Sequence, residues 1–225
     1  MSTLVYGKYK IKESNTNDLT IWYINDVLLK NNESVFHELL TTINSIKRGS
    51  SDDTVNIPIL ANNNFKGIFK KKINSQSYTS FNLKMYDGPR LKKDYLYTNK
   101  IIDIPQLKEI YETIDEMAVI LDHNRIKESE YNAIVTKLNT KLDLILKLFN
   151  NENNQSVCIQ LDKKLTILLF LKKDSMIIRF KLKDSLTTIG YINDPFVINL
   201  FSKIHHLKDT ISLLVWNFSQ LTNDF

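Results

Sequence analysis

The side chains equipped to meet a ligand crowd into one stretch of the chain, Asn62 to Lys100. It carries nine cations (Lys66, Lys70, Lys71, Lys72, Lys84, Arg90, Lys92, Lys93 and Lys100) against two acids, Asp87 and Asp94. The 225-residue chain as a whole has a net charge of only +5, so this segment is more basic than the rest. Phe65, Phe69, Tyr78, Phe81, Tyr86, Tyr95 and Tyr97 are threaded through it. Ammonium and guanidinium groups attract a phosphodiester backbone, and flat rings stack on exposed bases. The pattern therefore points to a surface for single-stranded nucleic acid. The competing interpretation assigns the lysines to a solvated strand face and the rings to the core.

Catalytic or metal chemistry finds no comparable cluster. His37, His123, His205 and His206 are scattered, and the last two occupy adjacent helical positions that face different directions, a poor start for a shared metal. Asp122-His123 sits at a helix break and reads as a cap rather than a dyad. Glu112, Asp115 and Glu116 read as a solvated acidic helix face. With 5 glycines in the chain, no phosphate-binding glycine loop is present. Cys158 is the single cysteine, which excludes an intrachain disulfide and a cysteine-built zinc site; its apolar setting, SVCIQL, predicts an inert buried thiol. Trp22 and Trp216 are expected in the core. No catalytic residue, metal or cofactor is expected, and the chain does not read as an enzyme.

The basic stretch must be carried by strands. Val55 to Leu60, Phe65 to Ile73, Tyr78 to Tyr86 and Asp94 to Tyr97 have β character. In Ser80 to Tyr86, Phe81, Leu83 and Met85 point to one face while Asn82, Lys84 and Tyr86 point to the other. Asp87-Gly88-Pro89 is a turn, and the lysines of Lys66 to Ile73 lie too densely to fix a register there. From Pro105, Leu107, Ile110, Tyr111, Ile114, Met117, Ala118 and Leu121 predict an amphipathic helix, and a second runs from about Lys127 to Phe149.

Upstream, Leu4 to Lys12 and Leu19 to Ile24 predict a hairpin, followed by a helix over Glu33 to Arg48. Downstream of the polar connector NNENNQ come four more strands, Ser156 to Leu161, Leu165 to Leu171, Met176 to Leu182 and Thr187 to Ile192. A last helix, Phe196 to Leu221, opens with Asp194 as N-cap and Pro195. Three segments follow: 1–50 (hairpin and helix), 51–150 (basic sheet and helical pair) and 151–225 (second sheet and C-terminal helix), expected to form one compact unit. The fold class is α+β, with two antiparallel units of a four-stranded sheet plus helix, an N-terminal β-hairpin–helix and an inserted long helix. A hydrophobic fraction of 43% supports a real core. The lack of an apolar leader core or membrane-length apolar run predicts a soluble intracellular protein with no membrane partner.

The first unit resembles the positive-cofactor-type transcriptional coactivators, whose DNA-binding domain is a curved antiparallel sheet followed by a helix. The likeness is carried by the run from Lys100 to Met117, KIIDIPQLKEIYETIDEM, and by the basic, aromatic strands with their Asp87-Gly88-Pro89-Arg90 turn. The doubled strand–helix order resembles the related Whirly fold of single-stranded DNA-binding proteins. The inserted helix and the N-terminal elements have no counterpart in the small coactivator domain. The resemblance implies single-stranded or melted DNA held across a concave sheet. Lys70, Lys71, Lys72, Lys84, Arg90, Lys92 and Lys93 would then meet phosphates, and Phe69, Tyr78, Tyr86, Tyr95 and Tyr97 would offer stacking.

The leading expectation is a non-enzymatic single-stranded DNA-binding protein serving replication or transcription, with homo-oligomers or other replication or transcription proteins as further partners. One rival is a subunit or adaptor that binds proteins through its acidic helical part and last helix. A second is RNA binding, since stacking rings on a sheet suit RNA equally. Geometry separates the first two. Lysines and exposed rings on one face favour nucleic acid; buried rings and scattered lysines favour the adaptor.

Overall fold

The structure, a computed structural model, describes residues 5–6, 9–10, 29–47, 53–62, 64–73, 75–98, 101–122, 128–150, 155–183 and 187–223. In chain order the elements are β1 (Val5–Tyr6), β2 (Tyr9–Lys10), α1 (Leu29–Lys47), β3 (Thr54–Leu60), β4 (Phe65–Lys72), β5 (Ser77–Tyr78), β6 (Ser80–Asp87), β7 (Arg90–Tyr97) and β8 (Ile102–Asp103). The helical pair α2 (Pro105–Asp122) and α3 (Glu128–Phe149) follows, then β9 (Val157–Gln160), β10 (Leu165–Lys172), β11 (Ser175–Leu182), β12 (Thr188–Ile192) and α4 (Pro195–Asn223). The fold is α+β, as expected.

The two predicted meanders are both present, but they do not form separate sheets. They join edge to edge into one eight-stranded antiparallel sheet of order β7-β6-β4-β3-β12-β11-β10-β9. The seam is short: Leu60 faces Tyr191 and Ile59 faces Ile192. Gly190 allows that approach, because a Cβ there would lie 2.9 Å from the Ala61 Cβ. At the N-terminus the run Leu4 to Lys12 contains two short strands that pair with each other, Val5 with Lys10 and Tyr6 with Tyr9. Its expected partner over Leu19 to Ile24, and Trp22 within it, lie outside the described residues. The predicted strand Tyr78 to Tyr86 breaks at Thr79, and Tyr78 pairs with Ile102 in a separate two-stranded sheet. The strand expected from Asp94 begins at Arg90.

Turn chemistry explains the longest hairpins. Asp87 pairs with Arg90 across Gly88 and Pro89, and Gly88 has a φ of +58°, the left-handed value that the first central position of such a turn demands. Lys172 pairs with Ser175 across an analogous two-residue loop whose first position is Lys173, with a φ of 55°. A lysine there carries backbone strain that a glycine would not.

The sheet curls strongly. Six strand spacings separate β7 from β10, about 29 Å in a flat sheet. Yet the Lys93 ammonium and the Tyr95 hydroxyl both bond Asp162, in the turn just before β10. The Phe65 ring on β4 stacks on Phe180 on β11 with centroids 4.1 Å apart. The inner faces of the two meanders thus approach each other. The helices cover the rest of that inner face: α2 and α3 touch β10, α4 touches β11, and α1 bridges α2 and α4. The buried side chains form one continuous core, with Ile57, Phe69, Phe81 and Leu83 from the first meander, Ile167, Leu169, Ile178 and Phe180 from the second, and Leu107, Leu142 and Ile204 from the helices. This leaves the opposite, convex face of the sheet.

Candidate nucleic-acid interface

Strand alternation sorts the basic stretch into two faces. On β4, Phe65, Phe69 and Lys71 point inward, so Lys66, Ile68, Lys70 and Lys72 point outward. The register then carries this assignment across the sheet. Lys66 lies opposite Lys84, Ile68 opposite Asn82 and Lys70 opposite Ser80 on β6. Asn82 in turn faces Leu96 on β7, and Lys84 faces Asp94. Of the expected site, Lys70, Lys72, Lys84 and Tyr86 therefore share the outer face. Lys66, left out of the expected contact set, joins them, with its ammonium 5.6 Å from the Tyr86 ring centroid. Alternation from Phe65 would have placed it there.

The Lys66–Lys84 pair is electrostatically costly. Like charges directly opposite each other on one face of a sheet destabilise it. Asp94 relieves this only partly, at 3.9 Å from Lys84 with both side chains well exposed. A bound anion would offset the repulsion.

Three expected contacts are corrected by burial. Lys71 is 1% exposed, and Phe69 and Tyr78 are equally enclosed. The Lys71 ammonium lies 2.6 Å from Asp194 Oδ2, and the Tyr78 hydroxyl donates to the same oxygen at 3.0 Å. Asp194 also caps α4 as expected, accepting the Phe196 N–H on Oδ1 at 2.9 Å. The Phe196 ring lies 4.6 Å from the ammonium. Burial lowers the Lys71 pKa while Asp194 works against that shift; burial, with Asp194 adding to it, raises Tyr78 well above a free phenol. Nearby Tyr111 is also pushed up by burial, and its hydroxyl has no hydrogen-bond partner. The cluster has reactive residue types but is closed to solvent, and it ties the first meander to the last helix.

Lys93, Tyr95 and Tyr97 fall on the inward-facing alternation of β7, opposite Met85, Leu83 and Phe81. Tyr97 stacks on Phe81 with centroids 5.0 Å apart. Lys93 and Tyr95 are occupied with Asp162, which also accepts the backbone N–H groups of Lys164 and Leu165 at 2.7 and 2.8 Å. The Lys93 hydrogen bond, aided by these donors, holds the Asp162 carboxyl well below the usual carboxylate range. Arg90 and Lys92 are exposed at the β6–β7 hairpin end, and Lys92 pairs with Asp87 at 3.3 Å. The expected set therefore divides among an open face, a hairpin end, the interior, and the rim of the inner face, where Lys93 is exposed and Tyr95 and Tyr97 are half-buried.

The outer face also presents apolar groups that the sequence reading left out. Leu60, Ile68, Leu96, Ile189 and Tyr191 are 47% to 70% exposed, and by register they all lie on it. Cys158, expected to be buried, is exposed because its position on β9 matches Leu168 on this same face. Trp216, expected in the core, is exposed on α4. The acidic residues Glu112, Asp115 and Glu116 are exposed as expected. His37, His205 and His206 are exposed, and His123 lies outside the described residues. Among the described residues no cluster could hold a metal ion, and no helix is long and apolar enough to cross a membrane. Compared with known proteins, the chain matches no protein-family model and no curated sequence.

Proposed function

We propose that this chain is a non-enzymatic nucleic-acid-binding protein that prefers single-stranded DNA and holds it on the convex face of its sheet, in the service of replication or transcription. The observation that carries this reading is the opposed pair Lys66–Lys84, flanked by Lys70 and Lys72, on an open face beside Tyr86. A face that keeps like charges together at a cost to stability fits a polyanionic ligand, which offsets the repulsion when it binds. The doubled order of strands and helix supports the reading through its resemblance to the coactivator and Whirly folds, with one change. The ligand lies on the convex face, because the concave one is filled by core.

The test is a competition assay with a labelled oligothymidylate at low salt, challenged with duplex DNA and oligouridylate. Displacement by unlabelled single-stranded DNA, with duplex far weaker, supports the reading. Equal displacement by oligouridylate moves the assignment to RNA. No binding at low salt removes it and favours the adaptor role, for which the exposed Val119, Leu213 and Trp216 on the helices are the supporting observation.

A further inference from the structure

We infer that the bound strand crosses the seam between the meanders and is gripped on the second one by Tyr191 and Arg179, so that the site takes about ten nucleotides of unpaired strand. This rests on the proposed function and extends it to residues outside the basic stretch. The register supplies the path. One cross-strand row runs from Leu96 through Asn82 and Ile68 to Pro58; a second, offset by two residues along β3, runs from Leu60 to Tyr191. Because its next members, Ile177 and Phe170, are buried, the exposed path steps from Tyr191 to Ile189 and on to Arg179, Leu168 and Cys158. The two rows lie on the same outer face, and the second bridges the seam because Leu60 and Tyr191 are direct partners there.

The chemistry of the row selects the ligand. Tyr191 is 49% exposed, an open ring among the described residues of the sheet, while Tyr86 is half-buried. A duplex offers phosphates and sugars to a convex surface and keeps its bases stacked inside, which leaves exposed leucine, isoleucine and tyrosine unmatched. An unpaired strand turns base faces to them.

Cations continue along the same face. Arg179 lies beside Ile189 and opposite Leu168, with its guanidinium 5.4 Å from the Phe170 ring centroid. A guanidinium held over a ring is preorganised to meet a phosphate or stack on a base. Lys181 follows two residues along β11 on the same face, Lys172 lies at the β10–β11 hairpin end, and no outward strand position of this meander carries an acid. Eight strands span about 34 Å from edge to edge, which at about 3.4 Å per stacked nucleotide corresponds to about ten nucleotides, and fewer if the strand is stretched.

Cys158 makes the path testable. It is the chain's single cysteine and is exposed on the outer face of β9, at the far end of the track. The intact protein, labelled there with an environment-sensitive fluorophore, is titrated with oligothymidylates from about 4 to about 16 nucleotides. Anisotropy of end-labelled oligonucleotides is followed in parallel. Affinity is expected to rise with length and level off near ten, with the Cys158 probe responding only to the longer oligonucleotides. Tyr191→Ala should weaken binding of the longest by about 5- to 150-fold with unchanged thermal stability, and Arg179→Ala should weaken it also. Tyr191→Phe should retain affinity. If oligonucleotides bind and depend on Lys66 and Lys84, yet ignore Tyr191 and Arg179 and leave the probe silent, the crossing is overturned and the proposed function stands. If none binds, both fall.

Discussion

Lys70 and Lys71 are neighbours in sequence, and replacing each with methionine should separate ligand binding from folding. Methionine keeps the aliphatic stem and removes the charge. At position 71 it leaves the Asp194 carboxylate buried with its ion-pair partner gone, while the Tyr78 hydroxyl at 3.0 Å and the Phe196 N–H at 2.9 Å remain. Breaking one side of a buried pair costs about 3–5 kcal/mol, and the two surviving hydrogen bonds place this case near the lower end. For a chain of this size each kcal/mol moves the midpoint about 2–4 °C, so Lys71→Met should lower Tm by at least about 6 °C. Adding Asp194→Asn should recover part of the loss, because asparagine keeps an oxygen for the cap and places an amide N–H that can donate to the Tyr78 hydroxyl oxygen, without a buried charge. Lys70→Met should leave stability within about 0.5 kcal/mol of wild type and weaken binding. Thermal and urea unfolding read the first effect, and oligonucleotide anisotropy well below the midpoint reads the second. A folded Lys71→Met protein with wild-type stability, or one that loses binding as Lys70→Met does, would refute this account of the interior.

Further outcomes follow from other positions. Lys66→Ala removes one of two opposed cations, so stability measured by urea unfolding should stay level or rise by a few tenths of a kcal/mol, while affinity for single strands falls. Lys173→Gly relieves a left-handed φ of 55° and should stabilise by about 1 kcal/mol in the same assay. Asp162 has a folded pKa depressed by Lys93 and its other donors, so its contribution is complete above its unfolded value near pH 4. It is lost as pH falls through the lower folded value. Asp162→Asn should therefore flatten the acid limb of a stability–pH profile below about pH 4.

Much of this architecture was legible because periodicity is a local property. The alternation of Phe81, Leu83 and Met85 set the faces of β6, and the apolar spacing from Pro105 set α2, since each needs only neighbours along the chain. Asp194 was legible as a cap for the same reason. The interior role of Lys71 was not: a lysine reads as exposed until its partner is known, and that partner lies 123 residues away. The inward turn of Tyr95 followed from a contact with Asp162, 67 residues on, which exists only because the sheet curls. Cys158 sits in an apolar run, but in an eight-stranded sheet with one face open such a run does not imply burial on both sides. Tyr191 was missed because the second meander lacks the dense charge that draws attention to the first. Its alternation with Gly190 and Ile192 was the available signal.

The most direct measurement of the central claim is the salt dependence of oligothymidylate affinity for the wild type, for a Lys66→Ala/Lys70→Ala/Lys84→Ala triple variant and for a Lys163→Ala/Lys164→Ala control in the β9–β10 turn. Each phosphate contact on a single strand contributes about 0.7 to the slope of log affinity against log salt. The convex-face account predicts a triple variant with a slope shallower by about 2 and a control that matches the wild type. A triple variant that keeps the wild-type slope and affinity would contradict it.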